Sequence, residues 1–155
     1  MTTSVVFDLV GALVSRFEPL LSVNVFDGYG VTDDPGDYLM VGVEDPDSDR
    51  ATSAEAKQEW HGIGNKARLE VGTITCIAMS WNGDGDLSAA RAACKATTVA
   101  VENHLRADPN LGGTVPGLNW TGYGTRTELI QLQATDGACV MCVFDIAFTA
   151  RLTTT

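Results

Sequence analysis

The final third of the chain carries the pattern that most restricts its fold. "RTELIQLQAT" and "ACVMCVFDIAFTARL" are two β-rich runs separated by Asp136 and Gly137. In the second run the even positions Val140, Cys142, Phe144, Ile146, Phe148 and Leu152 are all apolar. Side chains along a strand alternate between two faces, so this period of two marks one buried face and predicts a long antiparallel hairpin. Asp-Gly suits a type I′ turn between the two strands.

Two helical patterns accompany it. From about Leu87 to Ala107, the residues Leu87, Ala90, Cys94, Thr98, Val101 and Leu105 recur at spacings of three or four, with Arg91, Lys95, Glu102 and Arg106 opposite. The small residues of this stripe let the helix lie close to a sheet. Near the start, Val6, Leu9, Val10, Leu13 and Phe17 share a face. Thr2, Thr3 or Ser4 can cap this helix, and Pro19 should end it at about Glu18.

Between these helices the sequence reads as strands. "SVNVF" is short, and "YLMVGV" is continuously apolar, as a buried strand is. "AEAKQEWH" should pair with the start of a long strand from Lys66 to Trp81. In that strand Leu69, Val71, Ile77, Met79 and Trp81 are apolar, and the even positions turn apolar only from Ile74. It should therefore leave the body at its start and be buried on both faces at its end, making a projecting hairpin with "AEAKQEWH". The expected fold is α+β: one domain over residues 1–155, a mostly antiparallel sheet, and two helices packed on it.

Charge and cysteine usage narrow the function classes. The net charge of −10 is uneven, because residues 1–60 hold 12 acids and 3 bases. Tight nucleic-acid binding needs a basic surface and is disfavoured. No run is long enough to span a membrane, and "MTTSVVFDLVGALV" lacks the basic start of a signal peptide, so a protein of a reducing cytoplasm is expected. Its four cysteines then read as thiols.

Each candidate for chemistry meets a simpler reading. In "WNGDGDLSAARAA", Asn82, Asp84 and Asp86 alternate like calcium ligands. An EF-hand also needs Gly at loop position 6 and Glu at position 12, and both possible registers lack both. Asp86 or Ser88 as a helix cap explains the stretch better. Cys139 and Cys142 have zinc-knuckle spacing, but they lie in a strand, where residues three apart face opposite ways. Cys76 and Cys94 supply no second pair. "HGIGNK" lacks the Walker spacing and reads as a turn. His61 sits in that turn, and His104 near a helix end, where its charged form would suit the dipole. Trp60, Trp81 and Trp120 are not interleaved with bases as in a stacking platform. No nucleophile, metal set or cofactor loop is recognisable, which leaves a structural or assembly role in front.

The order of elements carries a resemblance. The phrases "VNVFDG…DDPGDYLMVGVEDP", "IAMSWNGDGDLSAARAACKATTVAVENHL" and the closing "DIAFTARL" resemble a tail terminator protein of long-tailed actinobacterial phages. The resemblance spans nearly the whole chain. It implies an α+β subunit of a ring, a hexamer, that caps the tail tube, ends its elongation and joins the tail to the head connector. The partners implied are further copies of the chain, the tube protein and a connector or stopper protein. DNA passes through the hole without specific binding, and no cofactor or enzymatic activity is implied. The location implied is the virion, assembled in the host cytoplasm.

Within that reading, Glu59, Trp60, Lys66, Arg68 and Glu70 are the candidate subunit contacts, because a projecting hairpin can reach a neighbour. The acids Asp33, Asp34, Asp37, Asp45, Asp47 and Asp49 are candidates for the lumen wall, where they would repel phosphate. A solvated outer face explains the same acids. Other readings stay open: a different neck or tail protein, such as a head–tail joining protein or a tube subunit, or a small enzyme or binding module with a pocket built by loops 27–38 and 110–125.

Overall fold

The computed structural model describes residues 3–30, 36–46, 49, 51–62, 64 and 66–153. The α+β expectation holds. Elements follow in the order α1 (Val6–Phe17), β1 (Asn24–Asp27), β2 (Tyr38–Val41), β3 (Ala54–His61), β4 (Ala67–Asn82), α2 (Leu87–Ala107), β5 (Leu118–Ala134) and β6 (Gly137–Thr153). All six strands join one sheet in the order β1-β2-β4-β6-β5, with β3 beside β2 on the same edge of β4. Every pairing is antiparallel except β1 with β2.

The closing hairpin is the backbone of the sheet. β6 pairs with β4 without interruption from Ala67↔Thr153 to Asn82↔Ala138, and with β5 on its other side. The even face of β6 is buried as its alternation demands. The turn differs from the expected one. Ala134 pairs with Gly137, so Thr135 and Asp136 form the turn, and neither has the positive φ of a type I′ turn. Gly137 instead lies at the start of β6. A Cβ there would stand 2.5 Å from the Trp81 ring and 2.7 Å from the Asn82 carbonyl oxygen, so close strand approach requires glycine.

The two helices cover the face of the sheet that carries Ile74, Cys76, Ala78, Val140, Phe144 and Phe148. Helix α2 buries Ala90, Cys94, Thr97, Val101 and Leu105. Thr97 takes the place expected of Thr98. Both lie near the stripe at 3.6 residues per turn, and Thr97 bonds back to the Ala93 carbonyl while Thr98 stays nearer solvent. Helix α1 buries Leu9, Leu13 and Phe17 and stops before Pro19.

Strand β4 is buried on both faces from Ile74 to Ala78 and opens at its start, where Leu69 and Val71 face solvent. The β3–β4 hairpin is not free-standing, because β6 runs along β4 down to Thr153. Gly72 is a tight point in this hairpin. A Cβ there would meet the Glu55 carbonyl oxygen at 2.2 Å and the Phe148 ring at 2.7 Å.

Candidate functional site

Eight consecutive residue pairs hold β3 to β4, from Ala54↔Ile74 to His61↔Ala67, with no bulge. The opposite edge of β3 has no strand beside it among the described residues. Every residue from Lys57 to His61 is exposed. Directly opposed residues share a face, so Ala54, Ala56, Gln58 and Trp60 lie on the helix side, and Glu55, Lys57, Glu59 and His61 on the other.

The sequence-predicted contact residues separate into two groups here. Trp60 is 57% exposed, and Arg68 sits over its ring at 5.4 Å to the centroid, a cation–π arrangement that fixes the indole. Arg68 also donates to the Gln58 amide oxygen at 2.6 Å. Glu59 and Lys66 are exposed. Glu70 is different: it is wholly buried, so it cannot be presented to a neighbouring molecule. One carboxylate oxygen accepts the Val5 backbone N–H at 2.8 Å, and the other accepts the Gln58 side-chain amide. Gln58 also donates to the Thr3 carbonyl at 2.7 Å. Glu70 thus ties the start of α1 to the hairpin. Gln58, the hub of this network, gives no sign of its role in the sequence.

Of the acids proposed for a lumen wall, the described ones do not share one surface. Asp33, Asp34 and Asp47 lie outside the described residues. Asp49 is exposed. Asp37 lines a groove of about 340 Å³ on the helix side, between Leu20–Val23 and the α2 residues Ala93, Ala96 and Ala100. Asp45 forms an ion pair with Arg126 on the other face, where Glu128 also binds that arginine at 2.8 Å. Hydrogen bonding to Glu128, then to Asp45, holds the guanidinium charged more firmly than usual. Asp45 is therefore largely neutralised as a source of repulsion.

Around Arg126 lies a polar cavity of about 160 Å³, lined among others by Asp45, Glu55, Thr73, Thr75 and Asp145. Burial pushes the Asp145 carboxyl above its ordinary value, with Arg126 opposing the shift. Among the described residues, neither this cavity nor the groove is built by loop 110–125, and of loop 27–38 only Asp37 contributes. Among the described residues, no group of three His, Cys, Asp or Glu side chains is placed to hold a metal ion. None of their helices is long and apolar enough to cross a membrane.

The turn at 82–86 is a cap in geometry as well as in sequence. The Asn82 side-chain oxygen accepts the N–H groups of Asp84 and Asp86 at 3.0 and 3.2 Å, and Asp86 accepts the N–H of Ala89 at 3.0 Å. The four cysteines are free thiols, three of them buried. His104 departs from the expected charged state. It packs edge-on against Phe17 and beside Arg16, so burial, and then the guanidinium, lower its pKa.

The far edge of the sheet holds what the sequence reading passed over. Leu129 and Leu132 on β5 are 51% and 58% exposed, on opposite faces of the strand. Their signal was the loss of alternation in "LIQL", where neither face is cleanly polar. No family model matches the chain, and a search of curated proteins returns no significant match.

Proposed function

We propose that the chain is a structural subunit of a phage tail, a terminator that assembles into a closed ring, a hexamer by resemblance. It would cap the tail tube and join it to the head connector while DNA passes through the hole. The reading rests on the resemblance in element order. One observation supports it: Trp60, a large aromatic, stands exposed on an edge strand and is held there by Arg68. Rigid exposed tryptophans are what protein interfaces use as anchors, because they bury large area at little entropic cost. A ring needs heterologous contacts that close on themselves, and an anchor at one edge of the sheet provides one half of such a contact. In this role the protein has no chemistry of its own and no cofactor.

The test is assembly. Native mass measurement over a concentration series, with negative-stain imaging, should give one discrete ring with an open centre. Trp60→Ala should shift that ring towards monomer without changing the fold. A protein that is monomeric at every concentration overturns the reading, and one that grows into long tubes identifies a tube subunit instead.

A further inference from the structure

The surface that receives the β3 edge is not given by the resemblance, but the sheet itself carries an answer. β5 has two parts. In its first part the register with β6 shifts twice, and the Thr121 N–H is taken by the Pro109 carbonyl at 2.6 Å. From Thr127 to Ala134 the pairing with β6 is regular, and no strand lies on the outer side among the described residues. Edge strands are ordinarily blunted by lysine, proline, a bulge or a cover. "TELIQLQA" has no lysine or proline and a single charge, Glu128, which is engaged by Arg126. It exposes Leu129 and Leu132. Such an edge is open to another strand.

We propose that this edge, Thr127–Ala134, takes β3 of the next copy of the chain, so that the sheet continues from subunit to subunit. The inference rests on the ring reading above. Two observations select this occupant. Both segments are eight residues long and free of bulges. Trp60 and Leu129 lie on the same, helix-bearing side, through the linked pairs Trp60↔Arg68, Arg68↔Leu152 and Leu129↔Cys142, so a continued sheet sets the two exposed side chains together.

Two measurements decide it. Leu129→Lys puts a charge on the receiving edge at an exposed position, so the melting temperature should hold while the concentration for half-assembly rises on the order of tenfold, equivalent to about 1.4 kcal/mol. In a Cys139→Ser background, Trp60→Cys mixed with Leu129→Cys should cross-link, because a sheet continued with its helices on one side sets β3 antiparallel to β5. Each variant alone should give no dimer. Rings that survive Leu129→Lys and give no such cross-link overturn the edge assignment and leave the ring reading standing. Cross-linking of Leu129→Cys to itself replaces it with a symmetric β5 pairing. A protein that neither assembles nor cross-links removes both proposals.

Discussion

The carboxylate of Glu70 accepts the backbone N–H of Val5 at 2.8 Å, across 65 residues of sequence. Val5 is the residue before α1; the Ser4 hydroxyl accepts the next N–H, that of Val6, at 3.2 Å, and the Val5 N–H goes to Glu70 instead. Helix starts leave N–H groups without internal partners, and a carboxylate there also meets the positive end of the helix dipole. Because Glu70 is wholly buried, its removal would strand the Val5 donor away from water. Glu70→Ala should cost about 3 kcal/mol, within the range for an orphaned donor that had a charged partner. Glu70→Gln keeps an acceptor and should cost less. Thermal melts of the two variants check this, and equal losses would show that the site depends on charge alone.

The contrast with Asp86 shows what a sequence can display about such contacts. Asp86 lies three residues before the donor it caps, so the cap is readable as a local phrase. Asp86→Ala should destabilise by ~1 kcal/mol, the usual worth of an N-cap, and Asn82→Ala should add to it. The Asn82 oxygen is already shared by two backbone N–H groups. Melting temperature should therefore be the same with calcium and with a chelator. A calcium-dependent rise would return the stretch to the metal-site reading.

Legibility followed distance along the chain and chemical type. The β6 alternation, the end of α1 at Pro19 and the pairing of "AEAKQEWH" are local patterns, and each was readable. Glu70 was misread because it is covered by partners far away in sequence, Val5 and the Ala150 beside it on β6, while on its own face of the strand the preceding residue is the charged Arg68. Asp45 and Arg126, 81 residues apart, could not be matched as an ion pair from the sequence. The turn at 135–136 was misplaced by the strength of the Asp-Gly signal, when Gly137 is needed for its contact with Trp81. The exposed Leu129 and Leu132 were countable but have no alternation to give them a side.

The cysteines should divide sharply in reactivity. Burial pushes the Cys76 and Cys94 thiols up to about 12, and thiolate is the reactive form. Cys142 is buried and also shifted upwards by burial, whereas Cys139 is partly exposed. A thiol reagent at neutral pH should modify Cys139 alone in the native protein and all four after denaturation. Fast modification of Cys76 or Cys94 in the native state would contradict the packing of β4 against α2.

His104 gives a pH dependence with a definite sign. Its ring packs against Phe17 at 5.7 Å, and its Nε2 atom is buried without a hydrogen-bond partner. Burial comes first and the Arg16 guanidinium second in lowering its pKa below the ordinary 6.5. The unfolded chain thus takes up the proton more readily than the folded one, so protonation favours unfolding. The contribution of neutral His104 is fully present above pH 6.5 and is lost as the pH falls through 6.5 towards the lower folded value. His104→Gln removes this titration. The melting temperature of the unmodified chain, minus that of the variant, should therefore shrink between pH 7.5 and 5.5, a window above the range where carboxylates dominate. A difference that grows on acidification would mean that the imidazolium is favoured by the end of α2, as the sequence position alone suggested.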